Sequence, residues 1–224
     1  MSTPVQNTPA RGRGRPRAYD PESALTRATG AFWRAGFAGT SLDDLSAAMG
    51  MNRPSLYGAF GDKRDLYLAA LDRYVELSRA GMAQALAAEL PLEQALLRVY
   101  DRALALYFAD PDAPLGCFLI GTAATEAARD ARVRDALGAG LRALTRAFEG
   151  RFRVARKNGE IASSSKPAQL ADMAAAVLYS IALRSRAGDS RSSLRAFSRL
   201  AAAMICSAAA PATRRRAPRT RASR

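Results

Sequence analysis

With 224 residues, 34 Lys and Arg against 20 Asp and Glu, and no His at all, the chain carries a formal charge of +14. The lack of His excludes a His general base, a His-containing triad and a His metal ligand, and no P-loop or dinucleotide glycine pattern occurs, so neither an enzyme nor a cofactor is expected. Four Arg without an acid in residues 1–19 and six in residues 211–224 account for most of the excess, and without those ten the body stands at +4. That is a nearly balanced globule with two cationic ends, the footprint of phosphate binding.

In chain order, residues 1–19 come first as a basic arm that is not expected to fold. Its core, RGRGRPR, alternates Arg11, Arg13, Arg15 and Arg17 with Gly12, Gly14 and Pro16. The Arg-Gly-Arg-Pro run resembles the AT-hook, an extended strip for the minor groove of A·T-rich DNA. The physics fits, because a narrow groove has enhanced negative potential and admits Arg, while Gly lets the backbone approach. A solvated basic leader is the rival reading. Its place just before the helical pattern at Thr40 to Lys63, described next, favours the arm, with Arg13, Arg15 and Arg17 as candidate DNA contacts.

Pro21 opens a first helix with Leu25, Ala28, Phe32 and Ala35 as its inward stripe. The next stretch, Thr40 to Lys63, reads as a complete helix-turn-helix. Thr40 or Ser41 caps the first of its helices, and Asp43 or Asp44 closes a capping box. Leu42, Leu45 and Met49 share one face. Gly50 suits the left-handed backbone that ends a helix. Asn52 or Arg53 caps the next helix, with Pro54 in its first turn, where a missing N–H costs nothing. Leu56 and Phe60 face inward. Arg53, Ser55, Tyr57 and Gly58 face outward, the arrangement of a recognition helix.

Over Asp20 to Lys63 the chain resembles the DNA-binding domain of the TetR/AcrR transcriptional regulators. The carriers are Phe32, Gly36-Phe37, Thr40-Ser41, Leu56-Tyr57-Gly58-Ala59-Phe60 and Lys63. Gly58 and Ala59 stand where that family often has His and Tyr. The resemblance implies a homodimer on a palindromic double-stranded operator, most simply a repressor released by a small-molecule effector. It implies contacts from Thr40, Ser41, Arg53, Pro54, Ser55, Tyr57 and Lys63, with Thr40, Tyr57 and Lys63 on phosphates. The rival class is an architectural protein that coats DNA without sequence choice.

The remainder reads as helices with short breaks. Asp62 caps a long fourth helix running through Leu66, Ala70, Tyr74 and Leu77 toward Leu90, stopped by Pro91. A fifth spans Leu92 to about Ala109, and a sixth starts near Cys117. A seventh turns Val133, Leu137, Leu141, Leu144 and Phe148 inward and ends near Asn158-Gly159. An eighth covers Pro167–Arg186 and a ninth Ser192–Ala209. No repeats and no alternating stretch occur. The expected fold is all-α, about nine helices: a helix-turn-helix domain at 20–65, a helical effector-binding and dimerisation domain at 66–210, and a basic tail at 211–224. The tail serves solubility, or adds non-specific DNA affinity.

The last two helices are apolar on more than one face. Ala174, Ala175, Val177, Leu178, Ile181 and Ala182 nearly surround the eighth, and Ala201 to Ile205 do so for the ninth. Such helices need two partners, so residues 167–209 are expected to form a two-fold, four-helix homodimer interface. An effector cavity between the fourth and eighth helices would draw on Tyr74, Leu104, Tyr107, Phe108, Cys117, Phe118, Ile120, Phe148 and Tyr179. Apolar walls imply an uncharged or weakly polar ligand. Cys117 follows Gly116 at a helix start, whose positive end would lower its thiol pKa and suit a sensor of electrophiles or oxidants; an inert buried thiol is the alternative. The apolar stretches at 173–183 and 200–210 are too short to span a bilayer. No secretory leader and no disulfide framework are expected, so a cytoplasmic protein without a membrane partner is anticipated.

Overall fold

A computed structural model describes residues 20–87 and 89–211. The arm with Arg13, Arg15 and Arg17, and the tail beyond residue 211, lie outside the described residues. Among these there are nine helices and no strands: α1 (Pro21–Gly39), α2 (Leu42–Met49), α3 (Arg53–Phe60), α4 (Lys63–Ala85), α5 (Leu92–Tyr107), α6 (Phe118–Glu126), α7 (Ala131–Lys157), α8 (Pro167–Arg186) and α9 (Arg191–Ala209).

Local chemistry sets most of the boundaries. Asp20 accepts from the Ser23 N–H at 2.9 Å and starts α1. Ser41 and Asp44 form a reciprocal capping box on α2, as Asp62 and Asp65 do on α4. Asn52 caps α3 through the Ser55 N–H at 2.9 Å. Gly50, at φ 64 and ψ 33, supplies the left-handed turn between α2 and α3, a conformation that costs other residues a Cβ clash. Gly36, at φ 73, bends the end of α1 and turns Phe37 back onto the core.

Two helices depart from expectation. In α1 the buried stripe is Ala24, Ala28 and Phe32; Leu25 is half-buried, and Ala35 is exposed because Gly36 breaks the helical phase beside it. Helix α4 stops at Ala85 rather than near Leu90. The early stop turns Leu86 into the core and leaves the Leu90 carbonyl to accept from Arg151 Nη2 at 2.7 Å.

That contact belongs to a clamp on α5. Pro91 offers no side-chain cap, so the Leu92 N–H donates instead to Glu160 Oε2 at 2.8 Å. Glu160 in turn pairs with the buried Arg151 at 2.9 Å. Elsewhere α4 and α7 cross closely at Gly140, where an added Cβ would stand 2.9 Å from Val75 and 2.8 Å from Leu119 of α6. Helix α4 runs unbroken through residue 65, and the buried apolar residues form one cluster from Ala24 to Ala209. The DNA-reading helices and the body therefore share a core.

Candidate nucleic-acid interface and effector cavity

Helix α3 buries Leu56 and half-buries Phe60, which leaves Arg53, Pro54, Ser55, Tyr57 and Gly58 exposed on its outer face. Arg53 donates from Nε and Nη2 to Asp43 Oδ1 at 3.1 and 2.7 Å. Both partners are more than half exposed, so the pair is weak, worth about 0–1 kcal/mol, and its guanidinium is easily transferred to another acceptor. Lys63, the first residue of α4, holds its Nζ 4.5 Å above the Phe37 ring. A cation at a helix N-terminus opposes the helix dipole; the Phe37 face offsets that and fixes the ammonium beside α3.

Two other expected contacts are hydrogen-bonded within the protein. Thr40 is 1 % exposed and donates its hydroxyl to the Gly36 carbonyl at 2.7 Å. Ser41 donates both its N–H, at 2.8 Å, and its hydroxyl, at 2.6 Å, to Asp44. That bonding holds the Asp44 carboxyl below its usual range, so this corner carries fixed negative charge. Thr40 and Ser41 thus serve as turn and cap residues here.

The second site is a cavity of about 540 Å³ enclosed by α1, α4 and α5. From α1 come Thr26, Thr29, Gly30 and Trp33; from α4 chiefly Arg73, Tyr74, Leu77, Ser78 and Met82; from α5 Val99, Arg102, Leu106 and Tyr107. Cys117, Leu144 and Leu178 close the inner end. Trp33 spans the junction. It packs edge-on against Tyr74, with centroids 5.2 Å apart, and its Nε1 donates to the Gly116 carbonyl at 3.2 Å. A helix of the DNA-reading unit is thus one wall of the cavity.

Of the expected lining residues, Tyr74, Tyr107 and Cys117 are there, while Leu104, Phe108, Phe118, Ile120, Phe148 and Tyr179 are not. Phe118 is buried in the aromatic cluster with Tyr67 and Tyr74. Phe148 packs behind, against Tyr100. Tyr179 donates to the Leu141 carbonyl at 3.2 Å. Leu104 falls on the side of α5 turned from the face that carries Arg102 and Leu106, and Phe108 lies just past the helix as its C-cap. The wall from α1 was missed although a signal existed: Thr26, Gly30 and Trp33 repeat at helical spacing beside the core stripe, and Trp33 is the chain's single tryptophan.

Cys117 is 3 % exposed. Burial pushes its thiol up, opposed by hydrogen bonds that include one from Tyr74 Oη at 3.3 Å. Desolvation outweighs the N–H groups at the start of α6, a direction opposite to thiolate activation.

A capped helix-turn-helix with an exposed basic and aromatic face, built into an all-helical body, defines a DNA-binding protein of the helix-turn-helix class. Comparison with known proteins carries this further. Residues 24–70 match the bacterial regulatory proteins of the tetR family, and residues 92–201 match the tetracyclin repressor-like C-terminal domain. The chain is 30 % identical over 190 residues to the HTH-type transcriptional repressor ComR of Escherichia coli, covering 85 % of this chain and 90 % of that protein. It is 34 % identical over 103 residues to the E. coli repressor BdcR, covering 46 % and 52 % of the two. Among solved structures, a cysteine mutant of the TetR family regulator CifR, complexed with 26-bp double-strand operator DNA, superposes with a TM-score of 0.77 at 31 % identity, over 84 % of this chain and 98 % of that one. The chain belongs to the TetR family: it is a sequence-specific DNA-binding transcriptional regulator, not an enzyme.

Proposed function

We propose that this regulator is a cytoplasmic, homodimeric repressor that leaves its operator when a small molecule fills the cavity between α1, α4 and α5. The observation that carries the reading is the wall that α1 gives to that cavity, because a ligand pressing on Trp33 acts directly on the helix that supports α2 and α3. Repression follows the named roles of ComR and BdcR.

On DNA, Arg53, Ser55 and Tyr57 face base edges and Lys63 holds a phosphate, with Pro54 setting the first turn of α3. Arg53 leaves Asp43 for a base acceptor, where a bidentate contact discriminates by about 1–3 kcal/mol. The arm with Arg13, Arg15 and Arg17 follows the adjacent minor groove.

For the dimer, α8 and α9 support the interface proposed for residues 167–209. Met173 and Leu183 on α8 and Leu200 and Met204 on α9 are each more than half exposed. They recur at spacings that put one stripe on each helix, an apolar surface suited to a second copy.

The test joins binding and release. Operator sites selected from random DNA are bound in the presence of bulk competitor, and compounds that raise the melting temperature are then added. Retention of the selected site over competitor, followed by release with a stabilising compound, is the expected result. Loss of specific and bulk DNA together would favour a coating protein, and stabilising compounds that leave DNA bound would overturn the effector role.

A further inference from the structure

The α1–α4–α5 cavity has an unequal supply of polar groups. At its inner end the hydrogen-bonding capacity is occupied internally. The Trp33 Nε1 donates to the Leu115 and Gly116 carbonyls, and Tyr74 Oη donates to Cys117 Sγ. Nearer the surface, Thr26 and Thr29 donate to the Glu22 and Leu25 carbonyls of their own helix, and at the inner end the Ser78 and Tyr107 hydroxyls hydrogen-bond Tyr74 and Cys117. What remains there is an apolar surface from Met82, Val99, Leu144 and Leu178. An ionised group placed at that end would lose its hydration without replacement.

The mouth differs. Leu77 is 59 % and Leu106 41 % exposed although both line the cavity, so they mark its opening and present apolar rims to water. Two guanidinium groups stand there. Arg73 is ion-paired with Glu22. Among the described residues, Arg102 hydrogen-bonds only the neutral Gln84 Oε1, at 3.2 Å, and no acidic side chain pairs with it. No Asp or Glu lines the cavity.

We propose that the effector is an amphipathic carboxylate, its apolar body lying along Trp33, Met82 and Leu106 and its head group held at the mouth by Arg102. This rests on the effector reading above and narrows it, replacing the uncharged ligand that apolar walls alone suggest. Such a molecule covers the exposed Leu77 and Leu106, fills the apolar end, and supplies the anion that Arg102 lacks. Its length matters as much as its charge: a short carboxylate would satisfy Arg102 without reaching Trp33.

Trp33 is the chain's only tryptophan, so its fluorescence reports occupancy. The full chain is titrated with decanoate, decanol and decylammonium, which share one body and differ in head group. Decanoate is expected to bind tightest. Arg102→Ala should weaken decanoate by about tenfold, the scale of one partly exposed charge-assisted hydrogen bond, and leave decanol unchanged, which also shows that the variant is folded. Decanol or decylammonium binding as tightly as decanoate, an unaltered decanoate affinity in Arg102→Ala, or no response to any of the three would overturn the proposal. Operator binding is followed in the same samples. If decanoate binds by the Arg102-dependent criterion yet DNA stays bound, the carboxylate assignment stands and the effector role alone fails.

Discussion

Replacing Lys63 with Ala tests the phosphate contact proposed for it, because the change should be nearly neutral for folding. The substitution removes an ammonium 4.5 Å above the Phe37 ring, a loss of about 0.5–1 kcal/mol at a partly exposed site. It also removes a cation from the first turn of α4, a gain of about 0.3–1 kcal/mol. These offset, so the melting temperature should stay within about 3 °C. On DNA the lysine has no such compensation. Each phosphate contact releases counterions worth about 0.9 in the slope of log K against log salt, and a dimer on two half-sites loses two, so the slope should become shallower by about 1.8. Between about 50 and 200 mM salt, the wild type should therefore lose about tenfold more affinity than the variant. Fluorescence anisotropy with a labelled selected operator measures this, and a scrambled duplex should show the same change, since a phosphate carries no sequence. An unaltered slope, or a loss confined to the selected site, would refute the assignment of Lys63.

Gly140→Ala should destabilise by about 1–2 kcal/mol, since its Cβ would meet Val75 at 2.9 Å and Leu119 at 2.8 Å and overpacking exceeds the helix gain. Gly150→Ala on the same helix meets nothing within 4 Å and should stabilise by up to about 1 kcal/mol; thermal melts that rank the two the other way would contradict the α4–α7 crossing. Arg151, by hydrogen bonding, holds the Glu160 carboxyl below its usual range. Its folded pKa lies under the unfolded value of about 4.3, so its stabilisation is complete above that pH and is lost as pH falls through the folded pKa. Glu160→Gln should cost about 2 kcal/mol near neutrality and flatten the acid limb of a stability–pH curve, and an equally steep limb in the variant would count against the clamp. Leu200→Glu combined with Met204→Glu should convert dimer to monomer in sedimentation and weaken operator binding while leaving helix content intact, since both side chains are more than half exposed in one subunit; a persistent dimer would move the interface elsewhere.

The helical class, the helix-turn-helix and its outward face were legible because they depend on neighbours in sequence. A cap such as Asn52 reaches the Ser55 N–H three residues on, and Gly50 ends α2 through its own backbone freedom. Periodicity of 3.6 likewise placed Leu45, Met49 and Leu56 in the core. Even locally, though, direction escaped in part: the Ser41–Asp44 capping box was legible, but nothing in the sequence says that the Thr40 hydroxyl turns inward to the Gly36 carbonyl. The cavity lay further from view. Its walls meet only because α1 docks against α4 and α6, so Trp33 reaches the Gly116 carbonyl 83 residues away, and apolar character cannot tell a wall such as Leu106 from packed core such as Phe148. Glu160 caps α5 across 68 residues. The same holds for charge: Cys117 stands at the start of α6, whose positive end would lower its pKa, yet the burial that surrounding helices impose pushes it up. Sequence determines what each residue offers its near neighbours; long-range packing determines which groups are desolvated, paired or left facing a cavity.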